Sequence, residues 1–301
     1  MRAISLLFHD VFINDPDESG FVSAAANRYK LTVADFDAQL DGVAAARAEL
    51  PILANALEHH LPKRLNGVSY GDLDVSAGPP RWRRTRRNPP HDSARTPFAI
   101  TVDDGGESYY TTVADRLEQR GWRGHCLVTT DFIGGRGFLS RSQIRELAER
   151  GHVIGSHSAS HPARFNTLPF HRIATEWARS RAALEDIIGQ GVDVASVPGG
   201  SYSPVVARAA CEAGIRVVFT SEPITRVANS SGCVLVGRFT IRRGDANDLA
   251  RRLVSASSGA RARAWASWNA KGLVRPLLGP SYTSIADWLL ATRPSNRVSQ
   301  P

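Results

Sequence analysis

Two neighbouring carboxylates, Asp103 and Asp104, and two imidazoles four residues apart, His157 and His161, are the side chains of this sequence best suited to chemistry. One carboxylate and two imidazoles suffice to hold a divalent ion with a position left open for water. A second carboxylate beside them can take a proton from that water, which points to metal-assisted hydrolysis. Zinc suits such nitrogen and oxygen donors best, and cobalt, nickel or manganese would fit the same set. Consecutive side chains of an extended segment face opposite ways, so the turn at Gly105-Gly106 must re-aim one aspartate. A workable division gives the ion to one aspartate and the attacking water to its neighbour.

Taken singly, Asp-Asp-Gly is more often a turn than a site, and His-x-x-x-His is ambiguous. Their weight comes from falling at strand ends. Thr101-Val102-Asp103-Asp104-Gly105-Gly106 follows the apolar run Phe98-Ala99-Ile100, and Gly155-Ser156-His157-Ser158-Ala159-Ser160-His161-Pro162 follows Val153-Ile154. From residue 98 onward, short apolar runs alternate with helical periodicity. Strands are expected over 98–102, 125–129, 152–155, 192–197, 215–220 and 234–241, after an amino-terminal strand within the first ten residues. Helices are expected over about 108–120, after Ser140, over 172–188, after Ser203-Pro204 and over about 247–255. Ser140 and Gln143 form a capping-box pair, and Pro204 suits a first helical position. About seven strands with helices between them is the rhythm of parallel βα units, where chemistry gathers at the carboxyl ends of strands. Pro198-Gly199-Gly200, after the strand ending at Val197, brings a third such end to the same rim.

The formal charge of +8 belongs mainly to the tail. Residues 251–301 hold eight Arg or Lys against one acid, Asp287, which leaves 29 basic and 28 acidic residues before them. A nearly neutral body argues against a nucleic-acid protein. Arg81, Arg83, Arg84, Arg86 and Arg87 surround Trp82 in a Pro-rich stretch, and both basic clusters read as solvated loop and tail, with contact to an anionic glycan, a lipid headgroup or, least favoured, nucleic acid as the functional alternative. Cys126, Cys211 and Cys233 show no Cys-x-x-Cys spacing and are expected as small core residues. The amino terminus is too short in apolar residues for a secretory leader, and no run approaches the roughly 18 residues a membrane span needs, so a cytoplasmic location is expected. His125, His152 and His171 have no partner at ligand spacing and are expected at the surface or at strand edges. Trp265, Trp268, Tyr282 and Trp288 suggest helices packed outside the core, with a sugar platform as the lesser reading.

The motifs around Asp103 and His157 resemble those of polysaccharide deacetylases of the NodB-homology type, whose hallmarks are Thr-Phe-Asp-Asp-Gly-like, His-Ser/Thr-x-x-x-His-like and Arg-x-Pro-x-Gly-like segments. Residues 101–105 match the first with Val102 in place of Phe, and residues 157–161 match the second. The resemblance covers roughly residues 4–250. It implies an α/β fold, a distorted (β/α) barrel over residues 1–260 with an irregular basic insertion at about 62–96, and a helical extension over 261–301. It implies removal of N-acetyl groups from sugars in exopolysaccharide, cell-envelope glycan or glycolipid synthesis, with Asp103 as general base and Asp104, His157 and His161 as metal ligands.

Two departures stand out. The third motif reads Ser196-Val197-Pro198-Gly199-Gly200, so Ser196 stands where the base-orienting arginine is expected, and Asp103 needs an arginine from another loop or goes without. The Gly199 backbone N–H can still serve an oxyanion, beside Pro198 and Gly200. No histidine follows His171, so the family's carboxy-terminal Leu-x-His acid is missing. Phe8-His9-Asp10-Val11 resembles the Tyr-His-x-Val segment of poly-N-acetylglucosamine deacetylases, in which that histidine is the acid, and His9 is expected to replace it. The competing expectation is a catalytically lapsed barrel that binds glycan or a partner protein.

Overall fold

The computed structural model describes residues 2–46, 98–255 and 259–278, with side chains of the last helix described to residue 270. The insertion at 62–96, with its arginine cluster, and the tail beyond residue 278 lie outside the described residues. Strands run over Ile4–Phe8 (β1), Val11–Phe12 (β2), Leu31–Thr32 (β3), Phe98–Val102 (β4), His125–Val128 (β5), Val153–Ser156 (β6), Val194–Ser196 (β7), Val217–Phe219 (β8), Ala228–Ser230 (β9), Cys233–Val236 (β10) and Phe239–Thr240 (β11). Among the described residues nine of them form one sheet, in the order β11-β1-β4-β5-β6-β7-β8-β10-β9, while β2 and β3 pair separately. Every pairing in the large sheet is parallel except β10 with β9.

That is two strands more than the sequence rhythm suggests. One is the antiparallel edge strand β9. The other arises because the run 234–241 is not one strand but two, β10 and β11, joined by Gly237-Arg238 alone. β10 pairs with β8 and β11 with β1, at opposite ends of the parallel array. So short a link reaches only about 10 Å at full extension, so the two edges must come together and the sheet curls into the expected distorted barrel. Gly237 sits where a Cβ would collide with the Glu222 carbonyl and Ile224, which is why the seam takes glycine there.

Helices clad the outside. The helix Arg141–Glu149 starts with the expected capping box, Ser140 Oγ accepting from the Gln143 N–H at 3.3 Å and Gln143 Oε1 accepting from the Ser140 N–H at 2.7 Å. The helix Phe170–Ile188 buries Ile173, Trp177, Leu184 and Ile187 against the sheet and ends on Gly189 at φ 70°. The segment expected as one helix over 108–120 opens with a π turn, Tyr109–Val113, before the α-helix Ala114–Glu118. The Tyr109 hydroxyl lies 2.8 Å from His152 Nδ1, and His152 Nε2 lies 3.0 Å from Glu118. His152 is therefore a buried link between elements, and His125, on β5, is buried too with its ring edge-on to Phe219 at 5.3 Å. Of the surface or strand-edge positions expected for the three, His171 is exposed, while His125 opens β5 and His152 immediately precedes β6, both buried. The barrel floor is apolar, formed by Ala3, Leu127, Val217, Phe219 and Val236. No helix among the described residues is long and apolar enough to cross a membrane.

Candidate metal and catalytic site

Asp103 and Asp104 leave β4 in different directions because the backbone turns between them. Asp103 still bonds along the sheet, its N–H donating to the Phe8 carbonyl at 3.2 Å, whereas Asp104 and Gly105 take the left-handed conformation at φ 76° and 80°. Only glycine fits at 105, since a Cβ would approach Val128 Cγ1 to 2.9 Å. The histidine loop is bent in the same way, with Ser158 at φ 66° and His161 at φ 55°. Three of the four non-glycine residues with positive φ among the described residues thus sit at one place. Such geometry costs on the order of 1–3 kcal/mol each and persists only where surroundings enforce it. Glu176, on the helix Phe170–Ile188, does part of the enforcing: it accepts from the N–H groups of Ala159 and Ser160 at 3.0 and 2.8 Å and from Ser160 Oγ at 2.9 Å.

The turns aim Asp104, His157 and His161 at one point. Asp104 Oδ1 lies 3.4 Å from His157 Nε2 and 3.7 Å from His161 Nε2. Each residue offers one ligand atom within 4.8 Å of the others. Burial, then the charges of Asp103 and Asp10, push the Asp104 carboxyl well above its usual range. Burial likewise lowers His157 to about 3 and lowers His161. A buried carboxylate that resists charge, facing two imidazoles held neutral, is a donor set whose strain a divalent cation would relieve. The hydrogen bonding agrees. Ser196 Oγ donates to Asp103 Oδ1 at 2.9 Å, so it accepts from His157 Nδ1 at 2.5 Å, which places the His157 proton on Nδ1 and leaves the Nε2 lone pair facing Asp104.

Asp103 finds its arginine across the barrel seam. Arg238 is fully buried and holds Asp103 in a bidentate pair, Nη1 to Oδ1 at 2.7 Å and Nη2 to Oδ2 at 2.8 Å. Its remaining donors reach the Thr220 carbonyl at 3.0 Å and Thr101 Oγ1 at 3.2 Å. Burial by itself would raise the Asp103 carboxyl, but the Arg238 cation, His157 and the paired hydrogen bonds outweigh it and hold the group well below the usual carboxylate range. The neighbours are therefore opposites: Asp103 is a stable anion, and Asp104 is an anion only at a cost.

Residues 91–218 match the polysaccharide deacetylase family model, a span that contains both aspartates, both histidines and the 198–200 turn. Those 128 residues, under half of the chain, are similar to polysaccharide deacetylases. The chain is 28% identical to YxkH of Bacillus subtilis (strain 168) over 124 residues, 41% of this chain and 44% of that protein. It is 32% identical to a chitin deacetylase of Pestalotiopsis sp over 97 residues, 31% of this chain and 30% of that protein. The chain thus spans less than half the length of these curated relatives. In fold it is similar to IcaB from Ammonifex degensii, with a TM-score of 0.61 over 85% of this chain and 97% of that one at 20% identity.

The other expected residues are placed as follows. His9 follows β1 onto the same rim, its ring 4.8 Å from that of Tyr29. Burial draws its pKa down to about 4, against a raising influence from Asp103 and further lowering from Arg238, His161 and Arg242, and its Nδ1 is buried without a partner. Pro198 is buried, and Gly199 is exposed at φ 57° beside Gly200 at φ 67°. The helix Ala260–Leu278 is largely exposed over its described side chains, with Trp265 half exposed, and its Trp268 comes within 3.6 Å of where a Cβ on Gly200 would stand.

Three residues escaped the sequence reading. Arg238 had a signal: a single charge inside the apolar run 234–241, where a buried cation demands a partner. Asp10 is buried and accepts from Ser19 Oγ at 2.6 Å and Ser108 Oγ at 2.8 Å, which ties the 13–30 segment to the aspartate turn. Gly20 and Gly106 press on its carboxylate so closely that neither could carry a Cβ. That segment brings Phe21, whose ring lies tilted 5.0 Å from that of His161 and meets Phe132 and Phe138 edge-on at 4.8 and 5.1 Å. No local pattern announces Asp10 or Phe21.

Proposed function

We propose that this domain is a metal-dependent hydrolase that removes N-acetyl groups from N-acetylated sugars or polysaccharide, in exopolysaccharide, cell-envelope glycan or glycolipid synthesis. The observation that carries the reading is the pair of adjacent aspartates in opposite electrostatic states, one clamped by Arg238 and one facing His157 and His161. A divalent ion held by Asp104, His157 and His161, zinc or a similar transition metal, would supply Lewis-acid polarisation and a more acidic water. Asp103 takes the proton from the attacking water, and Arg238 and Ser196 keep its carboxylate aimed and charged. The exposed Gly199 N–H, in the turn that Pro198 and Gly200 shape, faces the oxyanion. As the carbon–nitrogen bond breaks, His9 gives a proton to the departing amine, so acetate and a free amine leave. The lowered pKa of His9 means that this proton must be taken up in the substrate complex.

That same lowering favours a second reading, a barrel that holds glycan without turning it over. One assay separates the two. Purified protein loaded with zinc is expected to release acetate from N-acetylglucosamine oligosaccharides, to stop on chelation, and to lose about a thousandfold or more in kcat in Asp103→Asn with its metal content intact. Glycan binding without acetate release would establish the second reading, and an Asp103→Asn variant as active as the parent would remove the role given to Asp103.

A further inference from the structure

The rim beside His9 carries a cation without a counter-charge. β11 pairs with β1 in the register Leu6 with Phe239 and Leu7 with Thr240, and the Ile241 N–H continues the ladder to the Leu7 carbonyl at 2.9 Å. Extended by two residues, that register sets Arg242 alongside His9, both just past the carboxyl ends of their strands. Tyr29 joins them: its ring lies 4.8 Å from the His9 ring and 5.1 Å from the Arg242 guanidinium carbon. Asp245 accepts from the backbone N–H of Arg242 at 2.8 Å, yet no carboxylate among the described residues pairs with its guanidinium, and its Nε is buried with no acceptor. Some of the barrel's other arginines are matched to acids, Arg116 with Asp37, Arg120 with Asp41, Arg150 with Glu118 and Arg238 with Asp103, and others, such as Arg123 and Arg145, spend their Nε on backbone carbonyls, whereas the Arg242 Nε has neither. Arg243, next in the chain, lies over Phe12 at 4.6 Å with its Nε on the Lys30 carbonyl, and no acid among the described residues pairs with it either.

We propose that Arg242, floored by Tyr29, is an anion-binding point beside His9, and that the N-acylated sugar taken by this domain carries a phosphate or a carboxylate close to the reacting amide. The inference rests on the deacetylase reading and narrows its substrate class. A guanidinium offers paired N–H donors that match either anion, and leaving a partly desolvated one unmatched costs free energy that a ligand can restore. Contact with Tyr29 explains why the side chain lies where it does, but a cation–π contact leaves the hydrogen-bond donors unused. A ligand anion would also offset the Arg242 field at His9 and so favour the imidazolium that proton donation to the amine requires.

The test uses the zinc-loaded full chain and four sugars: neutral N-acetylglucosamine oligosaccharide, N-acetylglucosamine 1-phosphate, N-acetylglucosamine 6-phosphate and N-acetylglucosaminuronic acid. Affinity is read by calorimetry and acetate release is followed in the same samples. At least one anionic sugar is expected to bind about ten- to a hundredfold tighter than the neutral one, with the advantage shrinking as salt is raised. Arg242→Gln should erase that advantage, and Arg242→Lys, which keeps the charge, should retain most of it. Which anionic sugar is preferred tells phosphate from carboxylate. Equal affinity for neutral and anionic sugars, or an advantage that survives Arg242→Gln, overturns the proposal. Charge-selective binding without acetate release would leave the anion point standing and remove the deacetylase reading on which its catalytic use depends.

Discussion

The two flanks of the aspartate pair are built on opposite plans. Towards β7 and the β10–β11 seam, the polar groups around Asp103 are matched: Arg238 grips both oxygens, Ser196 bridges to His157, and Thr101 and Thr220 take the remaining guanidinium donors. Towards β1, His9 Nδ1, Asp10 Oδ2 and Arg242 Nε are buried with no partner. Buried polar atoms are rarely left unmatched without a reason. The difference teaches that the first flank holds the Asp103 carboxylate charged and aimed before anything binds, while on the second His9 and Arg242 keep hydrogen-bonding capacity that, in the proposed function, a ligand would use.

Breaking the matched flank should do the most damage. Arg238→Met strands a buried anion at Asp103, which is expected to cost about 3–5 kcal/mol in stability. The acid limb of the pH–rate profile should move upward, because Asp103 loses the cation that holds its pKa down. Thermal melts and pH–rate curves of Arg238→Met and Arg238→Lys check this, and a Met variant as stable as the parent would mean that the pair is not the clamp described. On the open flank the cost should fall on turnover. His9→Gln is expected to lower kcat by roughly a hundredfold or more with a much smaller change in melting temperature than Arg238→Met. A large melting shift there would erase the contrast between the flanks.

The smallest effect concerns pH and both flanks together. Burial lowers His9 to about 4, His157 to about 3 and His125, beside Phe219, to about 4, against about 6.5 in an unfolded chain. Between those values the unfolded chain binds protons that the fold refuses, so the stability of metal-free protein should fall as pH drops from about 6.5 towards 4. His125→Leu removes one such site away from either flank and should recover on the order of 2 kcal/mol of the loss at pH 5. Denaturant titrations at pH 7 and pH 5 provide the measurement, and identical pH dependence in parent and variant would contradict it.

Much of the working end was legible because it is written locally. A glycine after two aspartates, a capping pair at Ser140 and Gln143, and apolar runs of strand length all act within a few residues, and β4 and the helix after Ser140 begin where those signals place them. Long-range matters were less so. The run 234–241 reads as one strand because nothing in its periodicity reveals that Gly237-Arg238 crosses from one sheet edge to the other. His125 and His152 stand at strand edges, one of the two placements expected, but their burial was not legible because each packs against elements far away in sequence, Phe219 for one and Tyr109 with Glu118 for the other.

By itself the sequence determined which side chains could do chemistry and that they stand at the ends of parallel strands, since residue type and hydrophobic period are properties of short segments. Which charge stands behind Asp103 was decided by tertiary structure. Arg238 lies 135 residues away along the chain, and only the curling of the sheet, which must bring β10 and β11 within one short link of each other, delivers it to that carboxylate.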